Sequence, residues 1–219
     1  MAGGRTDEAA GEHEAAVVAA ALALAAEEGW EQVRLSAIAE RTGLPLVLIA
    51  DRFRDVDAVA NAWFGEARRA VFAVPFESIA GHGADVRLAI VMEAWLDHLQ
   101  PFRTVAVDIL ETKLHPSHAH HWVPLVFDLS RLVHDFLDVA RVPGRPPLRP
   151  AQEIALTGIT LATLRDWAAD ETVDAATTKA RLRRRLARAG ALAERLCRGM
   201  SAERPRRGAS AERPWRGAS

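Results

Sequence analysis

The sequence predicts an all-α fold of about nine helices, with no sheet. Apolar residues recur at helical spacing through most of the chain. No segment alternates apolar and polar residues between turn signals, as a half-buried strand would. The gaps between periodic segments hold the glycines and prolines that stop and start helices.

The elements follow in order. A first helix is expected over 12–28, with Val17, Val18, Ala21, Leu22 and Ala25 on one stripe and Gly29 closing it. A short helix over 35–41 turns Leu35, Ile38 and Ala39 inward, and Thr42-Gly43 breaks it. A second short helix over 45–52 begins on Pro45, whose missing N–H costs nothing at the first helical position. A longer helix over 56–74 carries Val59, Trp63 and Phe64. The break at 75–83 holds a proline and two glycines. Beyond it, 85–99 aligns Leu88, Val91, Trp95 and Leu99 on one face. Pro101 starts the next helix, with Val105, Ile109 and Leu110 apolar, and His115-Pro116 ends it, since the residue before proline avoids helical angles. A helix over 117–140, kinked or started late by Pro124, leads to a proline-rich loop at 142–150. Helices over 151–169 and 174–198 complete the fold, the last with Leu182, Leu186, Ala189, Ala193 and Leu196 in register. The end of the chain is a near-perfect tandem duplication, AERPRRGAS then AERPWRGAS, too short and polar to fold, and is expected to be disordered. The expected organisation is a flexible start at 1–11, a first domain at 12–74, a linker at 75–84, a larger helical domain at 85–198 and a tail at 199–219.

Bulk composition narrows the class. The 219 residues are 49% hydrophobic and 26% charged, an ordinary globular balance. A net charge of −1 predicts no polyanion partner for the chain as a whole. The lone cysteine, Cys197, excludes an internal disulfide and suits a reducing compartment. The polar, acidic first ten residues lack a basic-then-apolar leader, and no apolar run is expected to reach the ~18 residues of a membrane span. The expected location is the cytoplasm, with no transmembrane segment.

The informative stretch is 16–64. Two short helices joined by a tight glycine turn and braced by a long helix on each side form a helix-turn-helix, whose second helix enters a major groove. Residues 21–30 read ALALAAEEGW, residues 35–44 read LSAIAERTGL, and Phe53 and Ala58-Val59 follow. This resembles the DNA-binding domain of the TetR family of regulators over about fifty residues. The resemblance implies a homodimer that binds a palindromic DNA operator and releases it when a small apolar ligand enters the C-terminal helical domain. It places Arg34, Ser36, Arg41, Thr42, Leu46, Val47, Ala50 and Arg52 at the DNA, and the dimer interface on 151–198.

The segment 45–53, PLVLIADRF, departs from the family pattern. Leu46, Val47 and Ala50 occupy groove-facing positions and offer contact with thymine methyls but no hydrogen-bond code. Ala50 stands where the family usually has tyrosine, Val56 where a lysine commonly binds phosphate, and Asp51 faces the phosphates. Residues 1–64 hold five arginines, no lysine and eleven acids, the opposite of a basic footprint. A basic strip along Arg34, Arg41, Arg52 and Arg54 would favour a DNA reader, and an all-acidic surface a rival. That rival is the lipid-binding proteins of ubiquinone biosynthesis, which share the TetR-like fold without reading DNA. Gly43-Leu44-Pro45 through Phe53, residues 99–103 (LQPFR) and the 167–182 region are similar to them.

Trp95, His98, Phe102, Trp122, Phe127 and Trp167 are the candidate ligand-pocket residues, with the protein core as the plain alternative. His98 and His134 have the chemistry to orient a ligand. His115, His118, His120 and His121 are dense enough to suggest zinc, but without a nearby cysteine they read as a polar loop or pocket rim, and no metal site is assigned. The five arginines within 181–188 read as a solvated helix face. Asp170 and Glu171, at a helix break, read as caps. There is no Gly-x-Ser-x-Gly, P-loop, His-Glu-x-x-His or dinucleotide glycine motif, so no catalytic residue and no cofactor is expected.

Overall fold

A computed structural model of the chain describes residues 3–114, 122–144 and 148–202. Among the described residues there is no strand, and nine helices are longer than one turn. They are α1 (Gly3–Glu28), α2 (Leu35–Thr42), α3 (Leu46–Arg52), α4 (Val56–Phe72), α6 (Ala84–Leu99), α7 (Arg103–Leu114), α8 (Trp122–Val139), α9 (Arg149–Ala168) and α10 (Ala176–Ala202), with a single turn, α5 (Phe76–Ile79), after α4.

The ends of these helices have local causes. Gly29 adopts φ 87° and ψ 152°, a region open to glycine almost alone, and swings the chain out of α1 into a 3-10 turn at Trp30–Gln32. Gly43 closes α2 in the left-handed region, φ 72°, with its N–H donated to the Ala39 carbonyl. Pro45 lies one position outside α3 rather than at its first residue, because its ψ of 130° is extended. Asp55 caps α4 by accepting the Ala58 N–H at 2.8 Å. Pro101 opens a helical segment as expected, and Pro150, expected to close the preceding loop, instead lies in the first turn of α9.

Helix α1 begins nine residues before its expected start, through a segment, GGRTDEAAG, that holds three glycines. Its stretch Ala9–Glu28, with mean hydropathy 1.3, is long and apolar enough to cross a membrane, contrary to expectation. Alanine supplies much of that hydropathy. Val17, Val18, Ala21, Leu22, Leu24 and Ala25 are buried, and α1 packs against α2 and α4. Helix α10 runs to Ala202, past the expected end at 198, and the duplicated sequence from residue 203 lies outside the described residues.

The core is one continuous cluster. Helix α6 is its spine, packed between α4 and α10, with Val91, Met92, Leu96 and Leu99 buried. Trp95 meets Phe136 of α8 edge to face, with ring centroids 6.1 Å apart. The arginines of α10 form no solvated face throughout. Arg183 makes a two-pronged pair with Glu93 of α6 at 2.7 and 2.6 Å, and Arg181 and Arg185 reach Asp166 of α9. Their long side chains cross to acids on the neighbouring helices, while Arg184 and Arg188 stay exposed.

Two polar contacts hold the elements in register. Asp170 is buried between α9 and α10 and accepts from the N–H and hydroxyl of both Thr172 and Thr178, at 2.6–2.9 Å. The Thr178 bonds satisfy a donor in the first turn of α10, and the Thr172 bonds fix the turn that leads into it. Burial opposes ionisation of this carboxyl, but the four hydrogen bonds outweigh it and hold its pKa far below the usual range. Asp108 of α7 accepts the backbone N–H of Trp30 at 2.7 Å, a donor at the head of a 3-10 turn with no partner inside it.

Asp170→Ala is expected to cost about 1–3 kcal/mol of stability by urea denaturation at pH 7, from orphaned threonine donors. The depressed carboxyl makes its contribution complete above the unfolded value near ~4 and progressively lost below it. The gap between wild type and Asp170→Ala should therefore narrow as pH falls below ~4. Asp108→Ala should speed hydrogen exchange at the Trp30 amide by about tenfold or more, with the α6 core amides unchanged.

Candidate nucleic-acid interface

The α2–α3 unit is anchored from beneath. Ile38 of α2, Ile49 of α3 and Phe53 just beyond it are buried in the cluster that includes Val17, Trp30 and Val33. Thr42 secures the link by donating its hydroxyl to the Ile38 carbonyl at 2.8 Å and accepting the Leu44 N–H at 3.3 Å. The Phe53 N–H returns to the Ile49 carbonyl at 2.8 Å and closes α3.

With Ile49 and Phe53 inward, helical spacing turns Val47 and Asp51 to the outer face and leaves Leu46 and Ala50 on its flank. All four are exposed, Leu46 and Val47 by 47% and 64%. Leu48 is also half exposed, on the side toward α1, where it lines a shallow hollow of about 190 Å³ with His13, Val17, Ile49 and Phe53.

The arginines of this surface are engaged within the chain. Arg41 grips Glu27 of α1 through two bonds, 2.8 and 2.7 Å. That grip holds the Glu27 carboxyl below its ordinary pKa. Arg52 binds Glu14 of α1, its Nε 2.9 Å from Oε2. Arg54 binds Asp55 at 2.8 Å. Arg34 donates to the Glu31 and Val33 carbonyls at 2.6 and 2.9 Å. Ser36 is exposed on α2. The surface is thus neither a free basic strip nor all acidic. It is an apolar tip flanked by neutralised pairs. Glu14 and Glu27 are the members that linear reading passed over, since they lie 38 and 14 residues from their partners.

The candidate ligand residues are dispersed. Trp167 is fully buried with its indole N–H on Gln100 Oε1 at 2.6 Å. Trp95 is core, as described. Phe102 is half-buried and meets Trp63 of α4 edge to face at 6.4 Å. His98 faces Glu66 of α4 at 3.6 Å. Phe127 is 61% exposed on α8, and the Trp122 side chain lies outside the described residues. His134 contacts the Ser130 carbonyl at 2.7 Å and Glu153 at 3.2 Å. A second hollow, about 290 Å³ and open to solvent, is lined by Arg103, Thr104, Val107, Asp108, Glu111, Ala168, Ala169 and Glu171. Neither hollow is lined by the six candidates. Residues 115–121, with the histidine cluster, lie outside the described residues, as does the Cys197 side chain. No group of three or more potential metal ligands occurs among the described residues.

No known family profile and no curated protein matches the chain. Among solved structures, a TetR transcriptional regulator from Nitrosomonas europaea ATCC 19718 is similar at 31% identity and a TM-score of 0.72. The match covers 80% of this chain and 97% of that one. Sequence identity at this level over nearly the whole relative, together with the all-helical architecture, shows that the chain belongs to the TetR family.

Proposed function

We propose that the chain is a homodimeric DNA-binding regulator, acting as a repressor, whose α2–α3 unit is a helix-turn-helix with α3 in the major groove. The observation that carries this reading is the α2–α3 geometry itself. A short helix is pinned from below by Ile49 and Phe53 and presents its outer face to solvent, within a fold shared with a solved TetR regulator. Binding would need Arg41 and Arg52 to exchange Glu27 and Glu14 for DNA phosphates. Both pairs are at the surface, where such exchanges are inexpensive.

The dimer would form through α9 and α10, which pack together and leave Ile154, Leu161, Leu192 and Leu196 more than half exposed. Ligand entering among the C-terminal helices would shift the spacing of the two reading heads away from successive major grooves. The Asp108–Trp30 bond offers a route for that shift, because it ties α7 to the turn that precedes α2.

A titration of the full chain against its own upstream region, at several salt concentrations, tests the reading. Specific binding that weakens steeply with salt is expected. Arg41→Ala and Arg52→Ala should each weaken it and lower the magnitude of the salt slope by about 1. Glu14→Gln should tighten it severalfold by releasing Arg52. A folded, dimeric protein that ignores DNA at low salt would overturn the reading and leave the lipid-binding alternative. Separately, Ile154→Glu combined with Leu161→Glu should convert the dimer to a folded monomer by analytical ultracentrifugation.

A further inference from the structure

We infer that α3 selects DNA through the 5-methyl groups of thymine rather than through hydrogen bonds to base edges. This rests on the DNA-binding reading above and names the chemistry which that same surface would recognise.

Six of the seven residues of α3 are exposed, and four of them, Leu46, Val47, Leu48 and Ala50, have neither a side-chain donor nor an acceptor. Asp51 only accepts, so it repels phosphates, cannot pair with the O6 and N7 acceptors of guanine, and has only the amino groups of cytosine and adenine left to it. The commonest specific contact in a major groove is an arginine fork on guanine. Arg52, the one arginine of α3, is held by Glu14 of α1. Arg41 is on α2 and held by Glu27 through both prongs.

The one apolar group that a base pair displays in the major groove is the thymine methyl. Leu46 and Val47 are large, exposed by about half or more, and supported by a rigid base at Ile49 and Phe53. Pressing them against methyls removes apolar area from water on both partners. A polar base edge in the same place would be desolvated without a partner and would be rejected. The surface therefore prefers thymine-rich half-sites by the gain at methyls and by the loss elsewhere.

Replacing thymine by uracil deletes only this methyl and keeps every phosphate and every hydrogen-bonding edge. The upstream region of the chain's own gene would be amplified once with dTTP and once with dUTP. Each product would be titrated with the full-length protein under identical salt. Kd is expected to rise about tenfold or more on the uracil DNA, from two or more lost methyl contacts per dimer. Val47→Ser and Leu46→Ser, both at exposed positions, should weaken binding to thymine DNA and largely abolish the distinction. Equal affinity for the two DNAs would overturn the inference and leave the regulator reading intact. Variants that keep the full distinction would also overturn it, by moving the reading off α3. Binding to neither DNA by the folded dimer would overturn both and point to an apolar protein or lipid partner for this tip.

Discussion

The larger body of the fold is organised by the burial of α6 between α4 and α10. Val91, Met92, Trp95, Leu96 and Leu99 cover more than one side of α6, so a single neighbour cannot shield it. Helix α4 supplies one wall, and α4 starts only a few residues after α3 ends. The short α3 therefore has its place set by a helix that the main core holds. Asp108 adds a second tie, from α7 to the Trp30 turn ahead of α2. The α2–α3 unit is thus attached at both ends to helices of the larger body.

Charge distribution is the second organising constraint. The first 64 residues are acidic in sum, yet Arg41 and Arg52 do not stand free among the acids. Each is matched by a glutamate of α1. The pairs brace α2 and α3 against α1, and on the proposed reading they also set a threshold. A phosphate must outcompete a carboxylate for each guanidinium before the electrostatic part of binding is gained. An apolar outer face and pre-paired arginines would make affinity depend on methyl contact and on ionic strength more than on a hydrogen-bond code.

Much of the fold was legible because its determinants are local. Gly29, Gly43 and Pro101 punctuate the chain within a residue or two of where helices stop and start, since their backbone limits do not depend on distant partners. Pro45 was misplaced by one residue because a proline at the first helical position and one just before it look alike in sequence. The early start of α1 was missed because GGRTDEAAG carries no apolar stripe and three glycines, so nothing local marks it as helix. The apolar face of α3 was visible in PLVLIADRF. The fate of its arginines was not, because the Glu14–Arg52 and Glu27–Arg41 pairs form only when α1 folds back across the unit. The aromatic residues show the same limit. Helical spacing marks Trp95 and Trp167 for burial but does not say that Phe136 and Gln100 will meet them.

The most direct test of the account is a hydroxyl-radical footprint of the full chain on its upstream DNA. Two reading heads on a twofold dimer should protect two segments with centres about 34–36 Å apart, one helical turn, or a whole multiple of it. Protection of paired segments at that spacing is the predicted result. An unprotected DNA in the presence of folded dimer at low salt, or a single continuous footprint without that period, would contradict the account.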